Sequence, residues 1–168
     1  VIPKESWDAC PRFEPAELEG QACVGGLDLS STQDLTALVL LFEGWRVLPF
    51  FFVPEEKARD REERDRVPYW SWVEAGLVIP CGKRSVDFDF IRRFITGQPD
   101  RDGLGKRRPL AERFRIRAVA YDPWQATQLA NQLGEQDGLT MVESRQGFKS
   151  FTEPTKRLMD LIAEGKLR

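Results

Sequence analysis

Three segments rich in β-forming residues follow one another near the start of the chain, separated by turns too short to hold a helix. They span residues 22–30, 35–43 and 45–54, and the turns between them are the polar STQD and a single glycine, Gly44. Antiparallel neighbours can be joined by such short turns, whereas parallel neighbours need a crossover of about a dozen residues or more. The spacing therefore predicts an antiparallel meander of three strands.

After Pro54 the pattern changes, and helical segments begin to alternate with short strands. Strands separated by helices pair in parallel, because the helix carries the chain back along the sheet. The predicted fold class is therefore α/β, a mixed sheet with antiparallel first three strands and then parallel βα units, flanked by helices. The predicted helices are EEKARDREERDR, PYWSWVEAG, VDFDFIRRFITG, WQATQLANQLGEQ and TEPTKRLMDLIAEG, and the later strands are LVIP, RIRAVAYD and LTMVES.

Apolar residues at helical spacing predict which helix faces pack on the sheet. The aromatic residues of YWSW could stack on bases, but their spacing beside Val73 favours packing, as it does for the three phenylalanines at 50–52. Residues 98–113 are rich in Gly, Pro and Arg and predict a long loop. The predicted apolar faces are Trp70, Val73 and Leu77; Phe90, Ile91, Phe94 and Ile95; and Leu158, Leu161 and Ile162.

The length of 168 residues predicts one folded domain. Residues 1–20 are rich in Pro and Glu without periodicity, and predict an extended lead-in or linker, leaving residues 21–168 as the folded unit. The apolar runs are too short to span a membrane, and the start of the chain has no secretory signal pattern. We therefore expect a protein that is neither secreted nor partnered with a membrane.

The residues available for chemistry are limited by composition. The chain has no histidine, and its three cysteines, Cys10, Cys23 and Cys81, are too far apart for a zinc site with two-residue spacing and odd in number for a disulfide framework. This usage predicts a reducing compartment. Any catalysis must rest on carboxylates, hydroxyls, thiols or a hard metal ion.

Two aspartates stand out because each accompanies an apolar strand. Asp28 lies between two leucines, and Asp122 follows RIRAVAY just before a proline. An unpaired buried carboxylate is costly, and two side by side repel each other, but a divalent ion such as Mg²⁺ or Mn²⁺ removes both penalties. Asp122 could instead be a helix N-cap or a turn residue, and Asp34, at the end of STQD, is best explained as a turn residue.

The charge of the chain is unevenly distributed. The net charge is −2, but residues 101–117 hold seven basic residues against two acidic ones, a local charge of +5. This stretch could contact DNA phosphates, which would position the DNA without reading its sequence, or it could be a solvated loop. The DNA-binding candidates are Arg101, Lys106, Arg107, Arg108 and, further along, Lys156.

Several motifs in a fixed order resemble the C-terminal nuclease domain of tailed-phage large terminase subunits. They are GLDLS with DLT close behind it, FFVPEE, YWSWVEAG, VDFDFI, AVAYDPWQA and ESRQGFKSFTEPTKRLMDLIAEGKL. Together they extend from about Trp7 to the end of the chain. Each motif alone is a weak signal, whereas the complete order is a specific one.

This resemblance implies an RNase H-like fold and a DNA endonuclease that cuts concatemeric double-stranded viral DNA with two divalent ions, Mg²⁺ or Mn²⁺. By position, Asp28 and Asp122 would be the catalytic metal ligands, and Asp34 would support them. Gln146, Gly147, Ser150 and Lys156 would lie in a polar loop and helix start near the active-site face. The implied partners are double-stranded DNA, an N-terminal ATPase domain of the same protein, the portal protein and the small terminase subunit, in the host cytoplasm.

The sequence departs from the family pattern in two ways. The family has a third acid some tens of residues after the GKL segment, whereas the last residue here is Arg168. We therefore expect a nuclease domain that lacks its C-terminal part and one metal ligand, with reduced activity as a consequence. There is also no phosphate-binding G-x-x-x-x-G-K-[ST] motif, so we expect no ATP site in this domain.

Two other functions remain open from the sequence. GLDLSSTQD loosely resembles the phosphate-binding hairpin of actin-like and sugar-kinase-like ATP-binding domains, which would require a second Gly-rich segment and an adenosine site. Alternatively, the acids could be structural, and YWSW or the basic stretch could bind a protein in a non-catalytic scaffold.

Overall fold

A computed structural model describes residues 2–30, 35–98, 104–105 and 107–168. The strands are β1 (Ala22–Asp28), β2 (Thr36–Phe42), β3 (Arg46–Val53), β4 (Val78–Pro80), β5 (Arg115–Tyr121) and β6 (Met141–Glu143). The helices are α1 (Lys4–Asp8), α2 (Glu55–Asp65), α3 (Tyr69–Glu74), α4 (Phe88–Thr96), α5 (Leu110–Arg113), α6 (Pro123–Asn131) and α7 (Phe148–Ala163). A 3₁₀ turn at Pro15–Leu18 precedes β1, and a π-helical turn at Gln132–Gln136 extends α6.

The strands form one mixed sheet in the order β4-β3-β2-β1-β5-β6. Strands β1, β2 and β3 pair antiparallel, whereas the β3–β4, β1–β5 and β5–β6 pairs are parallel. The predicted α/β fold class and the change from antiparallel to parallel pairing are confirmed. Strand β1 lies inside the sheet between β2 and β5, so its C-terminal end opens beside the end of a parallel neighbour.

The main core lies between one face of the sheet and helices α4 and α6. Strand β2 alternates strictly, and its core side carries Leu38, Leu40 and Phe42, all buried. Asp87 caps the N-terminus of α4 by accepting a hydrogen bond from Phe90 N, and Gly97 caps its C-terminus in the left-handed conformation. As predicted, the apolar face of α4 packs on the sheet, with Ile91, Phe94 and Ile95 buried.

A buried ion pair ties α4 to the segment that follows α6. Arg92 donates from Nε and Nη2 to the two carboxylate oxygens of Asp137, both at 2.7 Å, and both side chains are less than a tenth exposed. Paired, two-point contacts of this kind fix geometry because either partner alone would leave a buried charge. The pair therefore holds α6, whose first turn carries Asp122, against the core.

The lead-in differs from the extended segment predicted for residues 1–20. Residues 4–8 are helical, residues 15–18 form a 3₁₀ turn, and Leu18 is completely buried in the main core. A reciprocal capping box between Glu14 and Glu17 stabilises the turn, a local signal that the absence of apolar periodicity conceals. Whether this segment links to an upstream domain stays a prediction.

Three further boundaries differ from the sequence prediction. Helix α3 ends at Glu74, so Leu77 lies outside it and is 65% exposed instead of completing the face of Trp70 and Val73. The predicted loop at 98–113 contains the short helix α5, in which Leu110 is buried. Helix α7 begins at Phe148, before the predicted TEPT start, and continues through Pro154.

In the described residues, no helix combines the length and apolarity needed to cross a bilayer.

Candidate metal and DNA site

The pairing of β1 with β5 brings the two singled-out aspartates together. These strands are parallel, and Leu27 is in register with Tyr121, so the next residues, Asp28 and Asp122, occupy neighbouring positions at the same edge of the sheet. Adjacent strands lie about 4.8 Å apart, and residues in the same row point to the same face. Asp28 is exposed although Leu27 and Leu29 beside it are buried, because successive side chains along an extended strand point to opposite faces of the sheet.

A single residue, Gln146, bridges the two carboxylates. Its side-chain Nε2 donates to Asp28 Oδ1 at 3.2 Å, and its backbone N–H donates to Asp122 Oδ2 at 3.2 Å. The other oxygen of Asp122 accepts from Trp124 N at 2.9 Å, which makes Asp122 the N-cap of α6. The N-cap role predicted as an alternative for Asp122 is therefore real, and it coexists with the position next to Asp28.

The two carboxylates are held by neutral amides and not by cations. Throughout the described part of the chain, no Lys or Arg forms an ion pair with Asp28 or Asp122. Amide donors orient a carboxylate but carry no net charge, so the hydrogen bonds to Asp28 and Asp122 supply no opposite charge. Two adjacent carboxylates and the amide oxygen of Gln146 are hard oxygen ligands of the kind that Mg²⁺ and Mn²⁺ prefer.

The ligand set is smaller than a complete three-acid site. The described residues contain no group of three or more His, Cys, Asp or Glu side chains placed to hold a metal ion. The two aspartates fit a hard divalent ion in type and placement, but a third carboxylate is not among them. Asp34, the predicted supporting acid, lies outside the described residues.

A cleft opens directly over Asp122. Its volume is about 620 Å³, and it is lined by Asp122, Pro123, Trp124, Arg145 and Gln146. Trp124 is 88% exposed, and Phe148, two residues after Gln146, is 95% exposed. The sequence analysis missed both aromatics as site residues, although Trp124 falls outside the apolar stripe of α6, which is Ala126, Leu129, Ala130 and Leu133. The position of Trp124 outside this stripe is the sequence feature that could have identified it as a surface residue beside the site.

Comparison with known proteins identifies the family. A family model described as the terminase large subunit, endonuclease domain, matches residues 1–168. The chain belongs to this family.

Two relatives of this terminase nuclease domain come from one phage. The terminase large subunit of Enterobacteria phage HK97 is 34% identical over 150 residues, which cover 85% of this chain and 27% of that protein. The crystal structure of the HK97 bacteriophage large terminase matches with a TM-score of 0.78 and 30% identity, covering 99% of this chain and 33% of that one. The fold is therefore the RNase H-like mixed sheet, and the chain spans about a third or less of these relatives.

The basic residues of the terminase nuclease domain do not all lie near the acids. Arg108 and Arg113 both donate to Glu19, at 3.3 and 2.8 Å, and Glu19 lies three residues before the start of β1. This places Arg108 at the opposite end of β1 and β5 from Asp28 and Asp122. Neighbouring Arg107 is exposed, whereas Arg101 and Lys106 lie outside the described residues.

The predicted polar loop and helix start form the turn that carries Gln146. Gly147 is the extended N-cap residue of α7, and Ser150 Oγ donates to the carbonyl oxygens of Arg145 at 2.6 Å and Gly147 at 3.1 Å. Ser150 therefore stabilises the turn, and no hydrogen bond among the described residues joins it to Asp28 or Asp122. Lys156 lies two turns further along α7, exposed and paired with Glu153 at 3.3 Å.

The cysteines are poor candidates for site chemistry. All three are free, and burial raises the pKa of Cys23 to about 11 and the pKa of Cys81 to about 12. Both thiols therefore stay protonated at neutral pH and are neither nucleophiles nor metal ligands.

Proposed function

We propose that this domain is the metal-dependent endonuclease of a viral DNA-packaging terminase, which cuts concatemeric double-stranded DNA by hydrolysis of phosphodiester bonds with two Mg²⁺ or Mn²⁺ ions. The observation that carries the proposal is the pair of adjacent carboxylates, Asp28 and Asp122, which Gln146 bridges and which form no ion pair with a Lys or Arg of the described residues. The family of the chain supports the same activity.

The two aspartates have free capacity for cations. Among the described residues, Oδ2 of Asp28 receives no hydrogen bond, and each oxygen of Asp122 receives one, which leaves a lone pair on each. When bound, divalent ions would neutralise the phosphate and activate the attacking water. Asp28 and Asp122 would hold them, while the backbone N–H groups of Trp124 and Gln146 keep the Asp122 carboxylate in a fixed orientation.

The larger assembly is part of the proposal. Because the chain spans 27% of the HK97 large subunit, we infer an N-terminal ATPase domain in the same protein, with the portal protein and the small terminase subunit as partners. Packaging would then take place in the host cytoplasm. We also infer that a third acidic ligand follows Arg168 in the full-length protein.

A thermal-shift titration with Mn²⁺ tests the metal site. An ion present at ten times its dissociation constant stabilises by about 1.4 kcal/mol, which raises the Tm of a domain this size by about 3–6 °C. The shift is expected in the wild type and lost in Asp28→Asn and Asp122→Asn. Asp160→Asn removes an exposed carboxylate of α7 and serves as the matched control that keeps the shift.

Plasmid nicking in Mn²⁺ tests the activity. The wild type should nick supercoiled DNA. The nicking rate should fall at least about a hundredfold in both aspartate variants, and it should rise in a chain extended past Arg168. Stabilisation by ATP without metal would favour the kinase-like alternative. A metal shift that persists in Asp28→Asn, or nicking that survives it, would refute the proposed site.

A further inference from the structure

Trp124 is exposed although the helix that carries it is well packed. The buried residues of α6 and its extension are Ala126, Leu129, Ala130 and Leu133, and Trp124 is 88% exposed on another side of the helix. Single exposed apolar side chains are common on protein surfaces, so exposure alone does not mark a binding site. Trp124 is distinguished by its position, because it lines the same cleft as Asp122. Neither helix propensity nor core packing requires tryptophan at this position.

The exposed ring adjoins the carboxylate pair. The backbone N–H of Trp124 holds one oxygen of Asp122, and the backbone N–H of Gln146 holds the other. The cleft of about 620 Å³ therefore has the Asp122 carboxylate within it, Trp124 on the α6 side, and Arg145 and Gln146 on the loop side. Within the described residues, exposed Arg145 has no carboxylate partner.

The lining of the cleft matches the base and the phosphate of a nucleotide. An aromatic face stacks on any base, a guanidinium contacts a phosphate, and the aspartates bind the cations that neutralise the backbone. A protein partner could also contact Trp124 and Arg145, but its surface would leave the carboxylates of Asp28 and Asp122 unbalanced, whereas the phosphates of a DNA strand bring cations with them. The charge arrangement therefore favours a nucleic-acid strand over a protein surface.

We propose that this cleft binds one unpaired nucleotide of the DNA strand to be cut, with its base stacked on Trp124 and a flanking phosphate on Arg145. A base within a duplex is stacked on both sides and shows no free face, so it must leave the stack before Trp124 can contact it. The inference rests on the proposed function and adds to it a substrate form: DNA that is locally opened at the cleavage site.

Binding to two matched DNAs tests the inference. One probe is a fully paired 30-mer and the other has the same sequence with a short mismatched bubble, each measured by fluorescence anisotropy with Ca²⁺ in place of Mn²⁺. The wild type should prefer the bubble, and Trp124→Ala should weaken bubble binding about tenfold and duplex binding less than twofold. Trp124→Phe, which keeps a stacking ring, should retain the preference.

Trp7→Ala is the matched control, because Trp7 is also exposed, at 54%, but lies in the lead-in away from the acids. Its DNA affinities should equal those of the wild type. Quenching of tryptophan emission by the bubble DNA should disappear in Trp124→Phe and remain in Trp7→Phe. Circular dichroism should show an unchanged fold for every variant.

The outcomes separate this inference from the proposed function. Equal wild-type affinity for both probes, an equal loss on both probes in Trp124→Ala, or the same loss in Trp7→Ala would overturn the inference, whether or not the protein nicks plasmid. Normal bubble preference that depends on Trp124, with no nicking in Mn²⁺ even by the extended chain, would leave the inference standing and refute the nuclease activity.

Discussion

The acidic residues at the two ends of strands β1 and β5 have different hydrogen-bond donors: arginines at one end and amides at the other. Before the start of β1, the carboxylate of Glu19 accepts hydrogen bonds from Arg113 at 2.8 Å and from Arg108 at 3.3 Å. At the other end of the same strands, Asp28 and Asp122 accept hydrogen bonds from amide N–H groups alone, as far as the described residues extend. The strands are seven residues long, so their two ends lie about 20 Å apart.

The difference supports a structural role for Glu19 and the proposed role of Asp28 and Asp122 as metal ligands. The arginines lower the pKa of Glu19, chiefly through the hydrogen bond from Arg113, and their positive charges already balance it. The amides around Asp28 and Asp122 fix orientation but carry no net charge. A cation site requires carboxylates whose charge the protein does not balance, because an acid already paired with arginine gains little from a metal ion.

The largest expected effect comes from adding charge at the acidic end. In Gln146→Glu a carboxylate oxygen would replace the amide nitrogen now 3.2 Å from Asp28 Oδ1. Neighbouring oxygens of an octahedral Mg²⁺ site with bonds of 2.0–2.1 Å lie about 3.0 Å apart, so the spacing suits a shared ion. Calorimetric titration should show Mn²⁺ affinity raised about tenfold or more, and the metal-free protein should melt at a lower temperature.

Gln146→Ala is the control for that variant. It removes the bridging donor without adding charge, so the metal-free Tm should change less than in Gln146→Glu and Mn²⁺ affinity should not rise. If Gln146→Glu bound Mn²⁺ more weakly than the wild type does, the carboxylate pair would not be arranged as a cation site.

The fold was predictable because its signals are local. Turn lengths between β1, β2 and β3 determine antiparallel pairing, and the apolar face of α4 follows from the spacing of Ile91, Phe94 and Ile95. The extended conformation predicted for residues 1–20 and the place of Leu77 on the α3 face were wrong, because helix caps and tertiary contacts determine both. Leu18 is buried because its 3₁₀ turn packs on the core. The sequence of residues 1–20 has no apolar periodicity that would predict this contact.

The site was predictable in its residue types and not in its arrangement. Apolar strands singled out Asp28 and Asp122, and the resemblance supplied their expected role as metal ligands and the loop at Gln146. The shared register of Leu27 and Tyr121, the bridge through Gln146 and the exposure of Trp124 depend on how distant segments meet. The pairing of Arg108 with Glu19 is equally non-local, so the sequence could not distinguish it from a free phosphate contact.

An intermediate effect is expected at the other end, where acid should weaken the ion pairs. The folded-state pKa of Glu19 lies below its ordinary value of 4.5, so the pairing contributes stability above pH 4.5 that is lost as the pH falls through the folded pKa. The Tm of the wild type should therefore fall more steeply than that of Glu19→Gln between about pH 6 and pH 3.

Glu19→Gln should leave plasmid nicking at neutral pH unchanged, because Glu19 lies remote from Asp28 and Asp122. Parallel Tm profiles for the two proteins would show that the arginines do not stabilise the charged carboxylate. A loss of nicking without a loss of fold would contradict the separation of the two ends.

The smallest expected effect distinguishes two arginines, one at each end. Arg145 borders the cleft without a carboxylate partner among the described residues, whereas Arg108 is occupied by Glu19. Each phosphate contact contributes about 0.9 to the slope of log affinity against log salt concentration. Arg145→Ala should therefore reduce that slope by about one, and Arg108→Ala should leave it unchanged. The reverse result would assign the phosphate contacts to the basic stretch at 101–117 and move the DNA path to the Glu19 end of the sheet.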